Sequence, residues 1–207
     1  MEQEVDYLKD ITQIKDMMAR SSRFISLSGM SGVMAGIYAL IGAYVTKQIL
    51  EDGAVRMNYD AAQMTLFEQF WWLLIVASVV LFFALGTGIW LTTRRAKKQG
   101  MKVWDDTARR LVVNLAIPLV AGGLFCLILL KWGMVGAVAP VMLIFYGLAL
   151  VNASKYTLTD IRFLGISEVA LGLLAAWYMD YGLLFWAIGF GVLHIVYGSL
   201  MYYKYER

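Results

Sequence analysis

Apolar residues occur along this chain in six long runs, and short polar or charged segments separate the runs. A helix needs roughly 20 apolar residues to cross the hydrocarbon core of a membrane, which is about 30 Å thick. The pattern therefore predicts an all-α, polytopic membrane protein with six transmembrane helices arranged as three hairpins. The predicted spans are residues 24–46, 69–93, 111–131, 134–152, 163–180 and 183–203.

Residues 1–23 precede the first run and have a different pattern. Their apolar residues recur at spacings of three and four, which is typical of one face of an amphipathic helix. These residues are Val5, Leu8, Ile11, Ile14 and Met18. We expect this helix to lie in the inner headgroup region, and a contact with a second subunit or a partner is the alternative. The chain thus divides into a cytoplasmic or interfacial helix (1–23) and a six-helix transmembrane domain (24–207).

The composition supports a membrane location and narrows the chemistry. Hydrophobic residues make up 60% of the chain and charged residues 16%, against about 25% charged in soluble domains. Cys126 is the single cysteine and His194 the single histidine. A disulfide framework and a cluster of Cys or His ligands are therefore excluded. We expect no metal site, and the sequence indicates no particular cofactor.

Lysine and arginine predict the orientation, because cytoplasmic loops of membrane proteins are enriched in them. If the N-terminus is inside, only Lys47, Arg56 and Lys131 of the 18 Lys and Arg residues fall on the outer side. We therefore predict a location in the inner (cytoplasmic) membrane, with both termini cytoplasmic. Residues 47–68 are the predicted outer loop between the first two spans.

The inner segment 94–110 is strongly basic, with the sequence RRAKKQGMKVWDDTARR. A cluster of Lys and Arg beside a membrane helix is attracted to anionic lipids. We expect this loop to hold anionic headgroups. We expect no nucleic-acid binding, because no nucleic-acid-binding module accompanies the charge.

Apart from the terminal residues Lys131 and Asp180, Glu168 is the one formally charged side chain within the predicted spans. Ionisable groups at membrane depth are costly, so each is a candidate functional residue. Folding the last two spans about Tyr181 and Gly182 places Glu168 level with His194. Three interpretations are open: a structural pair, a ligand or proton site, and no contact between the two.

Other polar residues cluster in the inner halves of the spans, whereas the outer halves are apolar and aromatic. This bias predicts a polar cavity that opens to the cytoplasm and is sealed on the outer side. The alternative is that these residues only bond neighbouring helices. The candidate ligand-binding residues are Glu168, His194, Asn114, Asn152, Ser31 and Ser28.

The stretch Gly29-Met30-Ser31-Gly32 resembles the Gly-x-Ser-Gly motif of rhomboid-type intramembrane serine proteases. That resemblance implies Ser31 as nucleophile and His194 as base. The serine lies on the first span rather than the fourth, however, and no His-x-x-x-Asn precedes it. Small residues at Ser28, Gly32 and Gly36 recur every four positions, which lets another helix approach closely. We interpret the stretch as a packing face and assign no catalytic residue.

Two further resemblances concern location and partners. Ala35, Ala39 and Ala43 are similar to the Ala-x-x-x-Ala face of energy-coupling-factor S-components, which implies docking of a coupling subunit. Those proteins bind substrate from outside, whereas the polar residues here lie inside. The stretch 146–204 resembles uncharacterised six-span bacterial inner-membrane proteins, which implies a location and no activity.

Two classes of function follow from these patterns. The first is binding or transport of a small molecule or ion in the cytoplasm-facing cavity. The second is a non-catalytic subunit or scaffold that docks a second copy or another membrane protein through Ser28, Gly32 and Gly36. A nucleotide-binding motif that would drive active transport is absent from the sequence.

Overall fold

The computed structural model of this protein describes residues 27–59 and 66–207, and describes side chains for 27–51 and 71–207. The helix predicted within 1–23 lies outside the described residues. All regular structure in the described ranges is helical. The α-helices are α1 (Gly29–Tyr59), α2 (Leu66–Lys98), α3 (Asp106–Lys131), α4 (Val138–Ala153), α5 (Asp160–Trp177), α6 (Gly182–Trp186) and α7 (His194–Tyr205).

The segment between α6 and α7, Ala187–Leu193, is π-helical. The three segments α6, Ala187–Leu193 and α7 follow one another without a break, and we refer to them together as the sixth helix. A π-helix has i→i+5 hydrogen bonds and is wider than an α-helix, and short π-helical stretches occur frequently at functional sites. The sequence pattern predicted an uninterrupted span here and gave no sign of the change in helix type.

Five helical segments are long and apolar enough to cross a membrane. They are Gly29–Glu51, Trp71–Lys98, Asp106–Lys131, Val135–Tyr156 and Met179–Tyr205. The surface agrees with apolar surroundings, because Phe82 and Ile89 of α2 are 73% and 67% exposed. Soluble proteins rarely expose contiguous apolar surface on this scale. The chain is a multi-pass membrane protein, and its described part is all-helical.

The helix α5 is not among those five segments. It is 18 residues long and contains Asp160, Arg162 and Glu168. This helix nevertheless has an exposed apolar side and a buried side. Phe163 and Leu173 are exposed, whereas Glu168 is buried. The predicted span at 163–180 therefore corresponds to a helix whose polar group faces the protein.

The two longest helices extend beyond the spans predicted for them. The helix α1 continues to Tyr59 through the predicted outer loop, and α2 continues to Lys98. An ion pair between Lys47 and Glu51, one helical turn apart at 3.5 Å, is compatible with the extension of α1. The basic residues at the end of α2 interact favourably with the negative end of the helix dipole.

The turn between α2 and α3 is correspondingly short. The Asp105 side chain accepts a hydrogen bond from the backbone N–H of Ala108 at 2.7 Å and so caps the N-terminus of α3. Gly100 has a φ of 65°, a left-handed conformation that glycine adopts at little cost. The predicted basic loop 94–110 is thus mostly the ends of two helices.

Helix pairing differs from a simple set of three hairpins. The helix α1 packs along both α2 and the sixth helix, and α4 packs along both α3 and α5. The sixth helix also contacts α4 and α5, which joins the two groups. The helix α5 and the sixth helix are consecutive in sequence, but each packs mainly against another helix. The helix α5 packs against α4, and the sixth helix packs against α1.

Glycines explain these partner choices, because they let two helix backbones approach closely. A Cβ atom built on Gly36 of α1 would lie 2.6 Å from the carbonyl oxygen of Gly191 in the sixth helix. A Cβ atom on Gly165 of α5 would lie 2.7 Å from the carbonyl oxygen of Gly147 in α4. Each interface accommodates glycine and no larger residue at these positions.

The first of these interfaces includes the small-residue face predicted on α1. A Cβ atom on Gly32 would lie 3.2 Å from the Cα of Gly198 in the sixth helix. The prediction that Gly32 and Gly36 let another helix approach is confirmed, and that helix belongs to the same chain. A second chain would reach this face only by displacing the sixth helix.

Candidate functional site

Three helices bring ionisable or polar side chains together in the protein interior. Glu168 comes from the middle of α5, His194 is the first residue of α7, and Tyr146 comes from α4. The distance between Glu168 Oε1 and His194 Nδ1 is 3.4 Å. The Tyr146 hydroxyl lies 2.7 Å from His194 Nε2. The sequence placed Glu168 level with His194 and left their contact open, and in the structure the two side chains are in contact.

The hydrogen bonds of His194 indicate which ring nitrogen carries the proton in the neutral imidazole. His194 Nδ1 lies 3.0 Å from the carbonyl oxygen of Gly189, which is able only to accept. Nδ1 therefore carries the hydrogen and donates it to Gly189. Nε2 is then the acceptor for the Tyr146 hydroxyl. Both ring nitrogens are engaged, and neither bonds to a serine.

Glu168 has the most unusual environment in the site. Its side chain is fully buried, at 0% exposure. Neither carboxyl oxygen has a hydrogen-bond partner among the described residues. The nearby N–H of His194 is directed to Gly189 rather than to Glu168. Burial of an unsatisfied carboxyl group costs free energy, so this arrangement requires an explanation beyond packing.

The π-helical stretch makes room for this carboxyl group. A Cβ atom on Gly189 would overlap the Glu168 carboxyl group and would lie 2.5 Å from Cδ2 of Leu143. Gly189 also provides the carbonyl that binds the His194 ring five residues later. One glycine therefore accommodates the acid and orients the imidazole.

Aromatic rings cover one side of the site. The ring of Phe190 lies 5.1 Å from that of Trp186 and 6.0 Å from that of His194, between centroids. The Tyr146 ring lies 4.9 Å from Phe190 and 5.3 Å from His194. Apolar surroundings of this kind strengthen electrostatic interactions between the polar groups they enclose.

Asn114 and Asn152, two other candidate ligand-binding residues, bond to each other. The Asn152 Nδ2 donates to the backbone oxygen and the Oδ1 of Asn114, at 3.0 and 3.2 Å. The Asn114 Nδ2 donates to the carbonyl of Arg110 at 2.8 Å. These contacts join α3 to α4.

Ser28 and Ser31 form a third group at the start of α1. Ser31 Oγ donates to the carbonyl of Ser28, and Ser28 Oγ lies 3.4 Å from the Glu206 carboxylate. The geometry implied by the protease resemblance, a hydrogen bond between Ser31 and His194, is absent from the described part of the chain. The six candidates thus form three separate pairs in the structure, Glu168 with His194, Asn114 with Asn152 and Ser28 with Ser31, rather than one site.

Sequence reasoning missed two features near these groups. Tyr146 was not among the candidates, because a tyrosine 48 residues from His194 in sequence has no periodic relation to it. Arg95 was assigned to the lipid-binding loop, but its side chain is only 11% exposed. Its place just after the predicted span 69–93 was the only signal in the sequence.

Arg95 and Glu206 form the centre of a clasp between helix ends. Their charged groups lie 3.0 Å apart. Arg95 also donates to the carbonyls of Leu27 and, at 2.7 Å, Tyr205. Glu206 accepts from the backbone N–H of Gly29 and so caps α1. The clasp joins the start of α1 to the ends of α2 and the sixth helix.

A second ionic contact lies close to the clasp. Asp160, at the start of α5 and outside the predicted span, accepts from Lys204 at 3.1 Å and from the Tyr205 hydroxyl at 2.6 Å. The contact fixes the start of α5 against the end of the sixth helix.

Comparison of the chain with protein-family models, curated proteins and solved structures finds no match. In the part of the chain that the structure describes, no group of three or more His, Cys, Asp or Glu side chains is arranged to hold a metal ion. The function is therefore argued from the chemistry of Glu168 and its neighbours, since function depends on the site rather than the fold.

Proposed function

We propose that this protein is a six-span inner-membrane protein that binds and transports a small cation at Glu168. The observation that carries the proposal is the fully buried Glu168 carboxyl group, which has no hydrogen-bond partner among the described residues. An ionisable group inside a membrane protein is expensive and marks ion or proton pathways in many transporters. A cation bound at the carboxylate supplies the missing interaction.

The proposed sixth span is α5. Its 18 residues rise about 27 Å as an α-helix, which is close to the thickness of the hydrocarbon core. Its polar residue Glu168 faces α4 and the sixth helix rather than lipid. This arrangement accounts for a spanning helix that contains a carboxylate.

Orientation is tested by reporter fusions. A reporter that is active only outside the cytoplasm, fused after Arg56, is expected to be active, and one fused after Lys97 is expected to be inactive. The positive-inside bias of Lys and Arg supports this orientation, with both termini cytoplasmic. The exposed basic residues at 97–102 then lie beside anionic headgroups. Activity after Lys97, or no activity after Arg56, would contradict the orientation.

Cation binding is tested by thermal unfolding of the purified protein in detergent. The pH and the concentrations of Li⁺, Na⁺ and K⁺ are varied separately at constant ionic strength. A cation at about 100 times its dissociation constant stabilises the native state by about 2.7 kcal/mol, which raises Tm by about 5–10 °C for a chain of this size. We expect Glu168→Gln to remove this response.

The matched control is Asp180→Asn, the same carboxyl-to-amide change at an exposed turn residue. This variant should keep the full response of Tm to the cation. If Glu168→Gln keeps the response, or if the unsubstituted protein responds to neither protons nor alkali cations, the proposed function is wrong.

A further inference from the structure

We propose that the cation is a proton, and that Tyr146 and His194 form a relay that delivers it to Glu168. This inference rests on the proposed cation site. Its evidence is the order of the groups: the Tyr146 hydroxyl lies 2.7 Å from one ring nitrogen of His194, and Glu168 Oε1 lies 3.4 Å from the other. Imidazole is suited to such a relay, because it accepts a proton at one nitrogen and releases one at the other.

The transfer step balances as follows. A hydronium ion from the aqueous side gives a proton to the Tyr146 oxygen, while the Tyr146 O–H bond breaks and an Nε2–H bond forms. The Nδ1–H bond of His194 breaks, and a new O–H bond forms at Glu168 Oε1. One proton has moved from water to the carboxylate, which becomes a neutral carboxylic acid. Return of the proton to the same side uses the same bonds in reverse and restores the starting tautomer of His194.

The surroundings of Glu168 favour a proton over an alkali or alkaline-earth cation. Mg²⁺ and Ca²⁺ take about six to eight oxygen ligands, and alkali cations also bind through several oxygen atoms. The described groups beside the carboxyl group include the Leu143 side chain, the backbone of Gly189 and the ring nitrogen of His194. A methyl group, an N–H donor and one backbone carbonyl do not replace the hydration shell of a metal ion. A proton needs only the carboxylate oxygen and its donor.

Within the described residues, titratable side chains reach this site from two of the helices packed against α5. Of the helices that contact α5, α4 contributes Tyr146 and the sixth helix contributes His194. The charged residues of α5 itself, Asp160 and Arg162, lie one turn or more before Glu168. The relay is therefore defined by three side chains.

The competing hydrogen bond to Gly189 makes the relay switchable. His194 Nδ1 lies closer to the Gly189 carbonyl, at 3.0 Å, than to Glu168 Oε1, at 3.4 Å. A small movement of the ring redirects the same N–H from the carbonyl to the carboxylate. The π-helical backbone thus holds the proton next to its acceptor until the ring moves.

The proton on Glu168 is measured by infrared difference spectroscopy of the purified protein after a rapid drop in pH. We expect a carboxylic acid C=O band that is absent in Glu168→Gln and unaffected by Na⁺ or K⁺. In Tyr146→Phe the band should appear about 100-fold more slowly, as expected for loss of a positioned proton donor. Tyr197→Phe, which removes another half-buried hydroxyl, should keep the original rate.

A measurement on the unsubstituted protein tests the relay even if the variants misfold. In D₂O the band of the unsubstituted protein should appear severalfold more slowly, and an unchanged rate contradicts the relay. An unchanged rate in folded Tyr146→Phe also overturns the relay. If Na⁺ or K⁺ abolishes the band, the cation is a metal ion: the inference is wrong and the proposed function stands. If neither a Glu168 band nor cation-dependent stabilisation is found, both are wrong.

Discussion

Gly165→Ala and Gly36→Ala will each destabilise the protein severely, although each substitution adds a single methyl group. The new Cβ atom would lie 2.7 Å from the carbonyl oxygen of Gly147 in one case and 2.6 Å from that of Gly191 in the other. Both contacts are with backbone, which cannot rotate away. Overpacking costs typically about 1–3 kcal/mol and occasionally more. We expect the upper end, or a fall in Tm of about 6–12 °C.

The matched controls are Gly88→Ala and Gly123→Ala, where no described side chain or neighbouring helix lies within 4 Å of the added Cβ atom. These variants should match or exceed the original Tm, since alanine is a better helix former than glycine by about 1 kcal/mol. Ser31→Ala should leave Tm nearly unchanged, because alanine keeps this helix surface small. Equal stability of Gly165→Ala and Gly123→Ala would contradict the close helix contact.

Arg95→Leu is expected to cost about 3–5 kcal/mol, because it leaves the largely buried Glu206 carboxylate without its counter-charge. Glu206→Gln should cost less, since its amide oxygen still accepts the N–H of Gly29. The control is Arg94→Leu, the same change one residue earlier. Arg94 is exposed and lies 5.6 Å from the Trp90 ring, a contact worth about 0.5–1 kcal/mol. Chemical or thermal unfolding in detergent measures the free energy of unfolding of all three variants.

The exchanged pair Arg95→Glu with Glu206→Arg separates a simple ion pair from a clasp. In a simple ion pair, exchange of the charges restores stability. Here Arg95 donates to the carbonyls of Leu27 and Tyr205, and Glu206 accepts from a backbone N–H. After the exchange, the carboxylate at position 95 faces backbone carbonyls, and the guanidinium at position 206 faces a backbone N–H. Both contacts are repulsive. We therefore expect no rescue, and full rescue would show that the backbone contacts contribute little.

The sequence predicted the helical class and the approach of Glu168 to His194 because both follow from one-dimensional counting. Apolar run length identifies membrane helices, and residue position along a hairpin gives depth. Tyr146 and the π-helical stretch were not predictable in this way. The carbonyl of Gly189 reaches the His194 ring because of a local change in helix type, which no periodicity of side chains encodes.

Helix partners were also beyond the sequence pattern. Short connections favour hairpins, but close backbone contact needs glycines at matching heights on two helices. Gly147 meets Gly165 and Gly36 meets Gly191, and neither match is visible until both helices are placed. The loop lengths were overestimated because charged residues were read as loop, whereas Lys97 and Lys98 continue α2.

The cap that Glu206 provides for α1 has a consequence for how the chain is made. Gly29 and Glu206 are 177 residues apart, so the first helix is synthesised long before its capping residue. At about 5–20 residues per second, that separation corresponds to about 10–35 s of translation. During this interval the glycine face of α1 also lacks the sixth helix that later covers it. The nascent chain therefore spends most of its synthesis with one helix face and one helix end open, and an insertase or membrane chaperone has its longest opportunity to act there.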